Sequence, residues 1–277
     1  MKIKKQSGEW VNFDRQKLVR SLINSGANYE LANAIVSEIE SKIQHGATSK
    51  QIFRLAFQKL RTRSNSNAAR YNLKKGIQLL GPAGFYFEKF IARIFELQGF
   101  LTKTNFIVEG NCVSHELDVV VQKDMHLAMI ECKFHGSQET KTDVKVPMYI
   151  LSRFNDLRKR DFNFFSSNQQ FTKCWIVTNN KFTEDAVKFG VCSELNLLSW
   201  NYPENNSLKD IITHYRVFPI TCLTTITQAE KEILLLEDIL TVYDFIHFGK
   251  SKTNLKLSQN RLKKVLNECH QLLNNQV

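Results

Sequence analysis

The sequence predicts an α/β protein: a core with a mixed sheet, preceded by a small, mostly helical domain and followed by a small all-α domain. Apolar residues recur at helical spacing from Asp14 to about residue 80. From residue 84, stretches that suit strands are interleaved with helical ones, and after residue 216 only helical spacing returns. Gly81-Pro82 punctuates the chain where the pattern first changes. Charge divides at the same place: residues 1–80 carry 15 Lys+Arg against 5 Asp+Glu, residues 81–215 carry 15 against 16, and residues 216–277 carry 8 against 6, within a total of +11. The expected domains are therefore 1–80, 81–215 and 216–277.

Along the first segment, residues 1–12 read as a hairpin turning at Ser7-Gly8. Asp14 suits a helix cap, and Leu18, Leu22 and Ile23 form the apolar stripe behind it. Further helices fit 29–44 and 49–61, with a fourth from near Asn67 after a polar loop from Thr62 to Asn67. The second segment predicts a helix at 84–98, strands at 102–109, 115–123 and 126–134, a helix at 142–161, a strand at 173–179, a helix at 183–194 and a strand at 195–200. Helices at 227–247 and 256–273 complete the chain. In the first of these, Leu234, Leu235, Ile239, Leu240, Val242, Tyr243 and Ile246 make an apolar band that suits a core.

Of the 277 residues, 43% are hydrophobic and 23% charged, which supplies packed cores and excludes a disordered tail. No run approaches the roughly 18 apolar residues of a membrane span, and the N-terminus lacks the apolar stretch of a secretion signal, so a cytoplasmic protein with no membrane partner is expected. The six cysteines are scattered, without CxxC or zinc spacing, and most read as small core residues. The basic first segment suits a polyanion, either nucleotide or nucleic acid, or else a solvated face.

The chemistry concentrates in the second segment. Asp118 lies in Leu117-Asp118-Val119-Val120-Val121, and after a turn Ile130-Glu131-Cys132-Lys133-Phe134 follows. Strand alternation puts Glu131 and Lys133 on one face and Ile130, Cys132 and Phe134 on the other. If the hairpin register sets Asp118 beside Glu131, two carboxylates offer oxygen ligands to Mg²⁺. Such an ion neutralises phosphate charge and activates water against a phosphodiester, and Lys133 then opposes developing negative charge. Glu88 shares a helical stripe with Ile91, Ala92 and Phe95, an acid on an apolar face that needs either a partner or a way to solvent.

Together, GPAGFYFEKFIARIFELQGF, HELDVVV and IECKF resemble the PD-(D/E)xK nuclease superfamily, and within it the Mrr-like restriction endonucleases, over about residues 81–200. The resemblance implies a restriction-endonuclease-like fold and a metal-dependent DNA endonuclease. By it Asp118 and Glu131 are the metal ligands for Mg²⁺ or Mn²⁺, Lys133 is the catalytic lysine, and Glu88 is the helix carboxylate near the metal. Such members often carry a glutamine in the helix after the lysine strand. Here Lys145, Tyr149 and Arg153 form a stripe four residues apart, which either faces DNA phosphates or covers the sheet. His115 and His135 flank the motif strands without an assigned role.

Nearer the N-terminus, Lys5-Gln6-Ser7-Gly8, Phe13-Asp14-Arg15-Gln16-Lys17 and Thr48-Ser49 resemble the ATP-cone over about residues 1–75. The resemblance implies ATP or dATP as a regulatory ligand, with Lys5 and Lys17 on phosphates, Gly8 in the turn, Asp14 on the nucleoside and Thr48 or Ser49 on the nucleotide. The family's usual Lys-Arg-Asp-Gly is replaced by Lys5-Gln6-Ser7-Gly8, with the loss of one cation, and direct DNA binding by this segment stays open. Basic residues Lys250, Lys252, Lys256, Arg261, Lys263 and Lys264 read as a solvated face or as phosphate contacts. The expectation is a nucleotide-regulated DNA endonuclease for restriction or repair, possible as a homodimer because two strands call for two sites. The alternatives are a nucleotide-responsive DNA-binding regulator with an inactive nuclease fold, and a nuclease acting on RNA.

Overall fold

The computed structural model describes the chain except for Gln6, Pro82, Ala83, 253–254 and 275–277, with the backbone alone at 248–252. The Pro82 half of the expected boundary, and the side chains of Lys250 and Lys252, therefore lie outside the described residues. The chain forms two compact units, 1–76 joined by 218–277, and 77–217.

In the first unit an antiparallel hairpin of β1 (Lys2–Lys4) and β2 (Trp10–Asn12) leads into α1 (Arg15–Ile23), α2 (Tyr29–Glu40), α3 (Ser49–Arg63), α4 (Asn65–Tyr71) and α5 (Leu73–Gln78). Each of the first four helices starts where a polar side chain caps it. Asp14, Asn28, Thr48 and Ser64 accept the backbone N–H of Lys17, Leu31, Gln51 and Asn67. The stretch from Thr62 to Asn67, expected as a loop, is helical on both sides of Ser64: Ser64 ends α3 in an extended conformation and at once caps α4. The core gathers Leu22, Ile35, Val36, Ile39, Ala56 and Leu60, all fully buried.

The second unit runs α6 (Phe85–Leu97), β3 (Leu101–Glu109), β4 (Ser114–Lys123), β5 (His126–Lys133), β6 (Lys141–Thr142), α7 (Lys145–Leu157), β7 (Phe162–Asn163), β8 (Asn168–Gln169), β9 (Phe171–Thr178), β10 (Lys181–Phe182), α8 (Glu184–Cys192), β11 (Asn196–Leu198) and α9 (Leu208–His214). The main sheet has the order β11-β9-β5-β4-β3, with β3, β4 and β5 antiparallel neighbours and β5, β9 and β11 parallel. The mixed sheet expected from an initial meander followed by helix–strand alternation is present. The helix expected at 142–161 is shorter because Lys141-Thr142 pairs instead with β10. Ile150, Phe154 and Leu157 of α7 pack onto Leu127, Met129, Cys174 and Ile176 of the sheet. Phe134 meets Phe87 of α6 at 5.7 Å, and since Phe134 has the opposite parity to Leu127 and Met129, α6 and α7 cover opposite faces.

The chain then returns to the first unit as a 3₁₀ turn (Ile220–Cys222), α10 (Gln228–Leu236), α11 (Val242–Lys252) and α12 (Gln259–Asn274). Buried Arg70 of α4 donates to the carbonyls of Gln271 and Leu272, and the Thr221 hydroxyl donates to Gly76 O at 2.6 Å. These long-range bonds join 218–277 to the N-terminal helices. The single helix expected at 227–247 breaks into α10 and α11. There Asp238 takes φ +60°, and the amides of Ile220 and Val242 bond the carbonyls of Leu240 and Phe218, drawing residues 239–241 away from helical pairing. Cys132, Cys174, Cys222 and Cys269 are buried, as core cysteines should be, whereas Cys112 and Cys192 are exposed.

Candidate active site

The site forms where β4 and β5 part. Their ladder runs from Lys123↔His126 to Val119↔Ile130, while β4 stays paired with β3 back to Ser114 and β5 stays paired with β9 out to Lys133↔Thr178. Each strand keeps its outer neighbour and loses its inner one. The groups freed at the fork are taken by side chains. Asp118 Oδ2 accepts the backbone N–H of Cys132 at 2.7 Å, and the Arg153 guanidinium of α7 donates to Glu116 O. Asp118 thus sits beside the Glu131 strand, as the expected register required.

Arg153 also donates to Glu131 Oε2 at 2.6 Å, and both side chains are largely buried. The stripe expected on α7 therefore splits. Lys145 and Tyr149 are exposed, while Arg153 turns inward to bridge the two strands and stacks over Tyr149 at 5.7 Å. Lys133 projects to solvent one pleat beyond Glu131.

Glu88 approaches from α6. That helix starts at Gly84, whose φ of +82° puts it in the left-handed region, and an added Cβ would lie 3.4 Å from Glu88 Oε1 and 3.7 Å from Phe134. Burial, reinforced by the charges of Asp118 and Glu116, pushes the Glu88 carboxyl up to about 7. Glu131 is also pushed up to about 7, by burial and the Asp118 charge against the opposing pull of Arg153 and Lys133. Asp118 is raised by burial, partly offset by the Cys132 N–H and Arg153. All four residues singled out in this segment are thus electrostatically linked at one fork, where Asp118 repels both Glu88 and Glu131.

A divalent cation relieves such repulsion. Among the described residues no three His, Cys, Asp or Glu side chains are grouped as a ready metal cluster. Two carboxylates with water and substrate phosphate completing the shell nevertheless match the usual Mg²⁺ arrangement. Asp118 and Glu131 fit that requirement.

Several neighbours escaped the sequence reading. Asn179, fully buried beyond β9, accepts from His135 N and donates to His135 O, both at 2.8 Å, extending β5 by a side-chain imitation of a ladder. Asn180 donates to Ser137 O and Thr140 O. The Thr178-Asn179-Asn180 run at the end of an apolar strand is the signal that could have revealed this clamp. The histidines have structural work: His115 Nε2 bonds Asp156 at 2.8 Å and His135 Nε2 bonds Thr142 at 2.8 Å.

In the first unit a cavity of about 410 Å³ is lined by Lys5, Asp14, Lys17 and Ser49, with Phe53 and Tyr71 on its wall. The two rings stack at 4.8 Å, an aromatic surface the sequence reading did not assign. Asp14 is occupied as the α1 cap and Lys5 pairs with Glu9 at 2.7 Å, an exposed contact that is easily exchanged. Gly8 takes φ +88° in the hairpin turn, and Thr48 caps α3 reciprocally with Gln51. Neither is among the described residues lining the cavity.

A five-stranded mixed sheet forked at an Asp and a Glu-x-Lys defines a restriction-endonuclease-like domain. Comparison with known families agrees. Residues 83–201 match the restriction endonuclease family (Mrr_cat), residues 1–74 the ATP cone domain, and residues 218–273 the AF1548-like C-terminal domain. The chain belongs to this family, as an ATP cone followed by a restriction endonuclease domain and an AF1548-like C-terminal domain. It is 35% identical over 187 residues to an uncharacterized protein of Archaeoglobus fulgidus, covering 66% of this chain and 99% of that protein. A crystal structure of the protein of unknown function AF1548 is 34% identical, covers 68% of this chain and 97% of that one, and superposes with a TM-score of 0.56. No helix among the described residues is long and apolar enough to cross a membrane.

Proposed function

We propose that the protein is a metal-dependent DNA endonuclease, regulated by ATP or dATP in the 410 Å³ cavity, that serves restriction or repair in the cytoplasm. The observation that carries this reading is the convergence of Glu88, Asp118, Glu131 and Lys133 where β4 and β5 part. Asp118 and Glu131 would hold Mg²⁺ or Mn²⁺, which supplies charge neutralisation at the phosphate and a lowered pKa for water. Asp118 is oriented for this by the Cys132 N–H and Glu131 by Arg153. Lys133, free in solvent at the mouth, opposes the negative charge that grows on the phosphate oxygens. Glu88 stands at the same mouth, where it can accept a proton from the attacking water. Cleavage of both strands calls for two copies of the site, hence a homodimer.

Incubation with supercoiled plasmid and Mg²⁺ should give nicked and linear DNA, EDTA should prevent it, and ATP or dATP should change the rate. Unchanged cutting by all of Asp118→Ala, Glu131→Ala and Lys133→Ala would move the chemistry elsewhere. One observation favours a second reading, a DNA-binding regulator that no longer cuts: Glu131 already has a resident cation in Arg153. Retarded but intact plasmid, with retardation that responds to nucleotide, would select it.

A further inference from the structure

Helix α3 serves two cavities with its opposite sides. Ile52 of α3 lines the 410 Å³ cavity, whereas Gln51, Arg54, Leu55 and Gln58 of the same helix look the other way. On that side lies a larger open cavity of about 570 Å³, and it shares no lining residue with the first. Its rim is the 42–47 loop, held to β1 by Gly46 N donating to Lys2 O and Lys4 N donating to Ala47 O, both at 3.0 Å. The lining has Lys42, His45 and Arg54 as cationic or protonatable groups, amides from Gln44, Gln51 and Gln58, and no carboxylate.

The surplus of positive charge has a local cause. The two acids at the end of α2 are already used: Glu38 pairs with Lys59 and Arg63, and Glu40 pairs with Arg15 at 3.2 Å. Among the described residues Lys42 and Arg54 have no carboxylate partner, so their field is directed into the cavity and solvent. Beside them Trp10, 52% exposed, stacks on His45 with centroids 5.8 Å apart and planes 21° from parallel. Gly46 lies under the indole edge, where an added Cβ would stand 3.6 Å from Trp10. The indole is thus held on His45 with about half of its surface left open to water.

We propose that this cavity binds a nucleic-acid strand, with a backbone phosphate on Lys42 and Arg54 and the adjoining base stacked on Trp10. Cations that track phosphates, joined to an exposed aromatic face, are the means by which single strands are held without sequence preference. A strand suits the site better than a free nucleotide because the cavity is an open groove with charge on two elements and no closed pocket for a base edge. The site is separate from the nuclease fork, and its occupancy does not require cleavage.

The test uses the full chain in EDTA, where no cutting can occur, and the anisotropy of a labelled oligothymidylate of about 12 nucleotides. Trp10→Ala is expected to weaken binding about tenfold, the loss typical of one stacked base. Arg54→Glu, at an exposed position that leaves the fold intact by circular dichroism, should also weaken binding and make its salt dependence shallower by about one to two charges. The proposal is overturned if the wild type does not bind, if both folded variants bind as it does, or if thymidine monophosphate displaces the strand at equal nucleotide concentration. Loss of plasmid cleavage with this binding intact would sink the nuclease reading and leave this one standing.

Discussion

Glu268 and Glu88 are both helix glutamates turned toward the interior of their own units, and their surroundings could hardly differ more. Glu268, 1% exposed on α12, accepts four hydrogen bonds: Oε1 from the amide and hydroxyl of Thr224, both at 2.8 Å, and Oε2 from those of Thr225 at 3.0 and 2.5 Å. It closes the loop before α10 as a cap would. Glu88, half-buried on α6, receives no hydrogen bond among the described residues, and it faces two further acids. Packing hides the Glu268 carboxylate from water and the Glu88 carboxylate in part, but donors were supplied to only one. The acid given donors is held as part of the fold, and the acid denied them is left with a raised carboxyl pKa.

Breaking the two regions should give opposite phenotypes. The largest effect is on rate. Asp118→Ala, Glu131→Ala or Lys133→Ala should lower plasmid cleavage at least about a hundredfold, the loss typical when one group that stabilises transition-state charge is removed. Glu268→Ala should leave the rate per folded molecule unchanged. In urea unfolding the order reverses: Glu268→Ala strands four donors and should cost about 3 kcal/mol.

Stability without metal should then vary with pH in two limbs. Glu131 has a folded value of about 7 against 4.5 unfolded, so the folded state binds the extra proton between these values, and stability falls as pH rises from about 4.5 to 7. Glu131 alone contributes about 3 kcal/mol to this limb and Glu88, also at about 7, adds to it, so Glu131→Gln should make it shallower. Glu230, bonded by Arg261, and Asp156, bonded by His115, are both pulled down to about 2. Their contribution is complete above the unfolded value and is lost as pH drops toward 2, so the second limb has the opposite sign and should survive Glu131→Gln. Addition of Mg²⁺ should raise the urea midpoint near neutral pH and level the first limb. The smallest effect is Glu88→Gln, expected to stabilise by about 1 kcal/mol near pH 8 while slowing cleavage. Loss of stability instead would mean that Glu88, like Glu268, is structural.

Much of this was legible beforehand. The Asp14 cap, the hairpin at Ser7-Gly8 and the meander of β3, β4 and β5 could be read from spacing and stand where that reading put them, and the proposed set Glu88, Asp118, Glu131 and Lys133 was picked out by spacing and resemblance. The role of Arg153 was not legible. A cation four residues from Tyr149 on an amphipathic helix looks the same whether it reaches outward to a ligand or inward to Glu131, and only the fork beneath α7 decides. Asn179 and Asn180 were passed over because their value lies in free backbone groups more than 30 residues earlier in the chain.

The sequence by itself determined which residues face the same way, because alternation in a strand and the 3.6-residue turn of a helix follow from local dihedral angles alone. It also determined the excess of cations in the first 80 residues. Only the tertiary structure decided which of those cations are spent on Glu38 and Glu40 and which are left over, that 218–277 packs with 1–76, and that β4 and β5 separate at the residue where two carboxylates meet. These are outcomes of competition between partners distant along the chain. Coulomb attraction and packing depend on separation in space, and spacing along the chain does not fix that separation until the chain has folded.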